Sequence, residues 1–149
     1  MGDHYSEAAM SNQQFVTYQC TRMSFQPLQR HPVRWLEWEH VYHLVEVFWP
    51  EQTPEGWREA HEEGYQYCGV IEAGQLQAIA AVWRYSEEAW EVASVHTRPE
   101  VRRRGYAQTM VSFVTAEILR AGKRATCSTS SDNRAMQKVA ESLGFQRVT

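Results

Sequence analysis

Three arginines and a glycine in succession, Arg102, Arg103, Arg104 and Gly105, stand between a segment typical of a strand and one typical of a helix. The strand covers residues 90–96 and breaks at a Thr-Arg-Pro sequence, and the helix begins at the glycine. The first turn of a helix has backbone N–H groups without partners and carries the positive end of the helix dipole. Such a turn favours a bound phosphate, and the arginines add positive charge beside it. The segment therefore predicts a phosphate-binding site.

The helix after this turn is predicted from the spacing of its apolar residues. They recur at steps of three and four and form one face, which consists of Ala107, Met110, Val111, Val114, Ile118 and Ala121. Gly122 suits the left-handed position just beyond the end of the helix. Because Gly105 has no side chain and Ala107 has a small one, the backbone at the start of the helix can approach a ligand closely.

Each part of this segment also has a purely structural interpretation. A glycine before a helix is commonly only a turn, and a run of arginines is commonly a solvated edge. Their order on one strand–turn–helix unit is what favours ligand binding.

Two segments of the chain resemble GNAT-type N-acetyltransferases. Residues 95–107, VHTRPEVRRRGYA, resemble the acetyl-CoA-binding signature, whose core Gln/Arg-x-x-Gly-x-Gly/Ala is matched by Arg102, Gly105 and Ala107. Asn133 opens a helical segment that ends in Gly-Phe eleven residues later, as in the same family. Together the two segments cover most of the chain after residue 90.

The resemblance implies a fold, a cosubstrate and a reaction. The fold is α/β, a mixed and mostly antiparallel central sheet with flanking helices, in one domain over residues 1–149 with residues 1–14 flexible. The reaction moves an acetyl group from acetyl-CoA to a primary amine by direct attack in a ternary complex. The cofactor contacts carried over by motif position are Val95, His96, Thr97, Arg102, Arg103, Arg104, Gly105, Tyr106, Ala107 and Asn133. An ordinary helix cap is the alternative role for Asn133.

Acetylation of an amine needs a base, because an amine with a pKa of about 10 is mostly protonated at neutral pH. Glu91 is the candidate, since it lies eleven residues before Arg102, where several relatives carry a catalytic glutamate on the same strand. Strict alternation predicts that one face of this strand carries Glu91, Ala93, Val95 and Thr97. The alternative is a glutamate on an edge strand that points to solvent.

Two further steps need donors: stabilisation of the thioester oxygen and protonation of the departing CoA. Backbone N–H groups near residues 95–97 are candidates to stabilise the charge on the thioester oxygen. Many relatives carry a tyrosine four residues before the Gly-Phe pair, which returns a proton to the departing CoA, but Ala140 stands there. Ser128, Ser130, Ser131 and a water molecule are left open for this role. A non-catalytic acyl-CoA-binding or regulatory domain is therefore the second hypothesis.

Composition narrows the function classes. The chain of 149 residues is 43% hydrophobic and 22% charged, which is typical of one soluble domain. Its net charge of -3 argues against a general nucleic-acid-binding role. No apolar run approaches the ~18 residues of a membrane span, and the N-terminus lacks the core of a signal peptide, so we expect a cytoplasmic protein without a membrane partner. Three widely spaced cysteines predict free thiols and no metal site.

The rest of the chain alternates between strand and helix patterns. Strands are predicted at residues 14–20, 65–71, 76–85 and 124–129, with a last one at most within 145–149. The strands at 65–71, 76–85 and 90–96 form an antiparallel meander, and the strand at 124–129, which follows a helix, is parallel to the one before it. The short C-terminus leaves a sheet edge for the N-terminal segment or for a partner in a homodimer.

Two further helices are predicted before the meander. One lies within residues 32–50, although 33–38 also suits a strand, and the other begins at Thr53-Pro54-Glu55, which combines a cap with proline in the first turn. Residues 35–57 are rich in tryptophan and glutamate, which suits one wall of a site for a cationic amine. Core packing is the alternative, and the favoured, interpretation of these tryptophans.

Overall fold

The computed structural model describes residues 14–148. The expected flexibility of residues 1–14 therefore falls, except at its last residue, outside the described range. Seven strands and four α-helices lie within it: β1 Phe15–Cys20, β2 Arg34–Trp35, α1 Trp38–Val45, α2 Pro54–Glu62, β3 Tyr65–Glu72, β4 Gln75–Trp83, β5 Ala89–Thr97, α3 Tyr106–Arg120, β6 Arg124–Ser130, α4 Arg134–Ser142 and β7 Gln146–Arg147. A short 3-10 helix at Pro99–Val101 leads from β5 towards α3.

The seven strands form one sheet in the order β2-β3-β4-β5-β6-β1-β7. Only the pair β5 and β6 is parallel, and every other neighbouring pair is antiparallel. This is the mixed, mostly antiparallel sheet that the sequence predicts, including the meander and the parallel strand after α3. The N-terminal strand β1 lies between β6 and β7, so it fills the position beside β6. The predicted homodimer stays a prediction.

Local sequence explains several of these elements. The β3–β4 hairpin has a two-residue loop, Ala73 and Gly74, and both residues have positive φ, as tight hairpin turns require. Helix α2 begins where predicted, with the Thr53 side chain accepting a hydrogen bond from the N–H of Gly56 at 3.0 Å. Residues 32–50, where the sequence suits both a strand and a helix, contain one of each. Residues 34–35 pair with β3 as a short strand, and α1 begins three residues later.

Each face of the sheet covers its own hydrophobic core. Helices α3 and α4 cover one face, where the fully buried side chains include Tyr18, Met110 and Leu143. Helices α1 and α2 cover the other, around Val45, Tyr67 and Ile79. Three of the four tryptophans in residues 35–57 pack against these cores, Trp35 against the first and Trp49 and Trp57 against the second, which agrees with the packing interpretation.

A bulge in β5 overturns the predicted alternation of its side chains. Ala93 and His96 pair with Ala81 and Ile79, so three steps on β5 match two on β4, and Ser94 adopts a left-handed φ of 57°. As a result Ala93 packs in the core under α1, whereas Val95 packs in the core under α3. The prediction that Val95 and Thr97 share a face with Glu91 is therefore wrong, because the extra residue reverses the alternation.

Candidate functional site

Strands β5 and β6 separate part of the way along their length. They pair at Ala89–Arg124, Trp90–Ala125 and Glu91–Thr126, and no pair between them is formed beyond this point in residues 14–148. Strand β6 continues against β1, while β5 continues against β4 through its bulge. Two parallel strands that diverge towards their carboxyl ends leave a crevice, which is where open α/β sheets bind ligands.

A cleft of about 920 Å³ occupies this crevice, between the end of β5, the start of α3 and the start of α4. Four of its lining residues are arginines, namely Arg30, Arg98, Arg102 and Arg103, and none of the residues in the range 14–148 that line it is acidic. Its apolar lining includes Phe48, Val95, Met136 and Val139. The cleft is therefore strongly cationic although the chain as a whole has a net charge of -3.

The start of α3 presents backbone donors to this cleft. Gly105 lies at the N-cap with a left-handed φ of 84°, and no side chain caps the helix. The N–H groups of Gly105, Tyr106, Ala107 and Gln108 form no hydrogen bond to another residue in the range 14–148. Free N–H groups at the positive end of a fifteen-residue helix are the arrangement that binds phosphate groups in many folds.

Nine of the ten predicted cofactor contacts line this one cleft: Val95, His96, Thr97, Arg102, Arg103, Gly105, Tyr106, Ala107 and Asn133. Arg104 does not, and its carbonyl instead accepts a hydrogen bond from the ring of His31 at 3.0 Å. Asn133 also performs the alternative role, since its side-chain oxygen caps α4 by accepting from the N–H of Met136 at 3.1 Å. Contact with a cofactor stays a prediction for all ten residues.

The Tyr106 side chain belongs to a hydrogen-bonded cluster behind the cleft. Its hydroxyl donates to Glu72 at 2.6 Å, and its ring stacks on His31 with the centroids 3.8 Å apart. The other oxygen of Glu72 lies 3.2 Å from Nδ1 of His31. These contacts hold the pKa of Glu72 below its usual value, first through the Tyr106 hydroxyl, and they raise the pKa of Tyr106. Tyr106 therefore joins the end of β3 to the start of α3.

Glu91 lies at the base of the crevice, in the last pair before β5 and β6 separate. Strand β5 is in the middle of the sheet, so the alternative that Glu91 lies on an edge strand and points to solvent is excluded. The residue is half-buried, and burial raises the pKa of its carboxyl above the usual value. Its cross-strand neighbour on β4 is Trp83, which stacks on Tyr65 with the ring planes 4° apart.

A chain of hydroxyl groups leads from the Glu91 carboxylate to the surface. Thr126 Oγ1 donates to Glu91 at 3.1 Å, and the hydroxyl of Tyr85 lies 3.2 Å from the same Thr126 oxygen. Since Thr126 has one hydrogen to give, the Tyr85 hydroxyl is the donor to Thr126 whenever Thr126 donates to Glu91. The hydrogen bond from Thr126 opposes the effect of burial on the pKa of Glu91. Tyr85 is 42% exposed, so the chain ends at solvent.

His96 is the one imidazole that lines the cleft. Its ring packs against Phe48 and at right angles to Trp49, with centroids 6.1 and 5.8 Å apart. This packing desolvates the ring and lowers the pKa of His96, which favours the neutral form at neutral pH.

Sequence reasoning missed several residues of the cleft, above all Arg30. Arg30 lies far from the signature in the chain and reaches the cleft only because residues 21–33 fold over α3. Phe48, Arg98 and Gln108 were also missed. No local pattern singles out Arg30 or Phe48, which tertiary packing brings to the cleft, whereas Arg98 lies within the signature at residues 95–107 and Gln108 directly follows it.

Neither a metal site nor a membrane span accompanies the cleft. Within residues 14–148, no group of three or more His, Cys, Asp or Glu side chains is placed to hold a metal ion. None of the described helices combines the length and apolar character that crossing a membrane requires.

Similarity to known proteins is clearest in the C-terminal half. The family model described as FR47-like protein matches residues 67–149, which is more than half of the chain. No match to the sequence was found among functionally curated proteins.

Solved structures share the fold at low sequence identity. A GNAT-family acetyltransferase structure from Novosphingobium aromaticivorans has a TM-score of 0.72 and 24% identity over 90% of this chain and 59% of that one. One from Colwellia psychrerythraea has a TM-score of 0.71 and 20% identity over 94% and 56%. This chain thus spans less than two thirds of either. The aminoglycoside N-acetyltransferase AAC(6')-Iy, in complex with a bisubstrate analogue of CoA and acetylneamine, has a TM-score of 0.63 and 20% identity over 79% and 92%.

Proposed function

This chain belongs to the FR47-like family and has the fold of GNAT acetyltransferases, and from these premises we propose that it moves an acetyl group from acetyl-CoA to a primary amine by direct attack in a ternary complex. The observation that carries the proposal is the cleft between β5, α3 and α4. It combines four arginines with free backbone N–H groups at the start of α3, and the described part of the chain contributes no acidic residue to its lining. The three buried cysteines are free, which suits a reducing compartment such as the cytoplasm.

The lining of the cleft fits the chemical parts of acetyl-CoA. Arg102, Arg103 and the amides of residues 105–108 would hold its phosphate groups. The apolar side chains of Val95, Met136 and Val139 would hold the pantetheine arm. Acetyl-CoA supplies the activated thioester, while the protein supplies position, a base and donors.

Glu91 is proposed as the general base. Glu91 stands in the last residue pair before β5 and β6 separate, although it is not among the residues that line the cleft. Burial raises the pKa of its carboxyl, so its carboxylate is a stronger proton acceptor than that of an exposed glutamate. The proton that leaves the amine would pass to Glu91, and it would reach solvent through the hydroxyl groups of Thr126 and Tyr85 after both have reversed the direction of their hydrogen bonds. Backbone N–H groups of β5 near Val95, where the strand leaves β6, are proposed as donors to the thioester oxygen.

Aromatic side chains near Glu91 would form part of the amine site. Tyr65 and Trp83 lie on the same face of the sheet as Glu91. Burial is the main cause that raises the pKa of Tyr65, and the negative charge of Glu91 raises it further. Aromatic rings beside a carboxylate suit a protonated amine that docks before it is deprotonated. In AAC(6')-Iy the acceptor is an aminoglycoside, and here the acceptor is proposed only as a primary amine.

A non-catalytic acyl-CoA-binding domain is the second candidate, because of Ala140. This residue is 1% exposed and packs in the core under α4, so the tyrosine that many relatives place there has no counterpart at this position. Such a domain would keep the cationic cleft and bind CoA without turnover.

Release of free thiol from acetyl-CoA in the presence of a panel of primary amines separates the two candidates. The wild-type protein is expected to turn over, and Glu91→Gln to lose about two orders of magnitude in kcat while its Kd for CoA is unchanged. Stabilisation by CoA without turnover on any amine would favour the binding domain. Equal rates for the wild type and Glu91→Gln would remove Glu91 from the chemistry.

A further inference from the structure

Residues 21–33, here called the strap, connect β1 to β2 and run along α3 from its end to its start. Arg22 donates to the carbonyl of Leu119 at 3.1 Å near the end of the helix. The N–H of Leu28 donates to Ser112 at 3.0 Å, and the N–H of Arg30 donates to Thr109 at 3.0 Å. The strap therefore delivers Arg30 to the first turn of α3.

At that turn the stem of Arg30 occupies the space beside Gly105. A Cβ at Gly105 would lie 2.9 Å from Cδ of Arg30, closer than such contacts allow. Gly105 is thus required by its positive φ, and a side chain there would also displace the Arg30 stem that packs over it. Arg30 has no carboxylate partner among residues 14–148, and neither do Arg102 and Arg103, which line the same cleft.

The residue after Arg30 holds the strap in place. The His31 ring stacks on Tyr106, and its two nitrogens face two acceptors, the Glu72 carboxylate at 3.2 Å and the Arg104 carbonyl at 3.0 Å. With Thr109 on one side and this cluster on the other, the backbone of Arg30 is fixed although its side chain is exposed.

We propose that Arg30 is a phosphate-binding residue of the acetyl-CoA site and that it contacts the pyrophosphate. The inference rests on the proposed function, because it assigns a further residue to that site. The free amides at the start of α3 are the place for the pyrophosphate, and the Arg30 stem lies directly over the first of these residues. Three guanidinium groups without carboxylate partners in the described chain repel one another unless an anion binds between them.

Affinity measurements with three ligands test this role. CoA carries both the pyrophosphate and the 3′-phosphate, dephospho-CoA carries only the pyrophosphate, and acetyl-pantetheine carries neither. Arg30→Gln is expected to weaken CoA and dephospho-CoA equally, by about tenfold, and to leave acetyl-pantetheine unchanged. Arg30→Lys should restore part of the loss, because it keeps the charge without the planar fork. Arg58→Gln, at an exposed position of α2 outside the cleft, is the matched control with unchanged affinities.

Several outcomes would overturn the assignment. Unchanged affinity of Arg30→Gln for CoA would exclude a phosphate contact. A loss confined to CoA would indicate the 3′-phosphate and contradict the pyrophosphate contact. An equal loss for acetyl-pantetheine would mean that the substitution distorts the cleft. If the wild type bound no CoA, the proposed function itself would fail, and the role of Arg30 with it.

Discussion

At the residue scale, two opposing effects set the pKa of Glu91. Burial raises it, and the hydrogen bond from Thr126 lowers it. A base with a raised pKa is protonated, and therefore inactive, over a wider acid range than an exposed glutamate. With Glu91 as the proposed base, the working pH of the site would depend partly on a single hydroxyl group that does not line the cleft.

Thr126→Val is expected to shift the acid limb of the kcat/KM profile to higher pH. The substitution removes the donor that stabilises the ionised carboxylate, so the pKa of Glu91 rises and activity appears only at higher pH. The maximal rate on the alkaline side should change less than the position of the limb. Thr126→Ser, which keeps the hydroxyl, should restore the position.

Thr129→Val is the matched control for that experiment. Thr129 is also buried in β6, and it lies outside both the cleft and the Glu91 cluster. The same acid limb in Thr126→Val and in the wild type would contradict either the hydrogen bond or the role of Glu91 as the base.

At the scale of the elements, the sequence predicts the regular parts well, because they depend on local patterns. Alternating apolar and polar residues predict the hairpin of β3 and β4, and apolar residues at steps of three and four predict α3. The Thr-Pro-Glu sequence predicts the start of α2. The bulge in β5 could not be predicted, since Ser94 in a left-handed conformation has no local signature. One extra residue there was enough to move Val95 to the other face of the sheet.

Two glycines with the same backbone conformation differ in what surrounds them. Gly122 has a φ of 81° and open space where a side chain would lie, whereas Gly144 has a φ of 96° and the Ser24 carbonyl of the strap in that place. Gly122→Ala is expected to cost about 1–2 kcal/mol of unfolding free energy from backbone strain alone. Gly144→Ala should cost at least about 2 kcal/mol more, because a Cβ would overlap the carbonyl.

Urea unfolding of both variants, with the wild type in parallel, measures this difference. Equal losses for Gly122→Ala and Gly144→Ala would show that the strap moves away from Gly144 without cost. That result would also weaken the case that the strap holds Arg30 rigidly at the start of α3.

At the scale of the whole molecule, the candidate site is assembled from segments distant in sequence. The signature at residues 95–107 supplies ten of the eighteen described residues that line the cleft. Arg30 from the strap and Phe48 from the segment after α1 could not be predicted, because long-range packing alone brings them to the cleft. The position of β1 between β6 and β7 could not be predicted from the sequence either, because it depends on contacts between the two ends of the chain.

The distribution of charge over the molecule gives a last prediction. The net charge is -3, yet four arginines line the cleft, and three of them, Arg30, Arg102 and Arg103, have no carboxylate partner within residues 14–148, so long-range attraction of an anion is local to it. Raising NaCl from about 0.1 to 1 M shortens the screening distance from about 10 to 3 Å, and the Kd for CoA should rise severalfold. Acetyl-pantetheine, which lacks phosphates, should bind equally at both salt concentrations.

The same titration tests whether the arginines serve nucleic acid instead. If they bind phosphate groups of CoA, Arg102→Gln should flatten the salt dependence of the Kd for CoA, and Arg58→Gln should leave it unchanged. A Kd for CoA that does not respond to salt would contradict electrostatic binding in the cleft. Affinity for single-stranded RNA that falls steeply with salt and is not competed by CoA would assign the arginines to nucleic acid, because each phosphate contact releases counterions. The net charge of -3, which disfavours binding of a polyanion overall, is the reason to expect CoA rather than RNA.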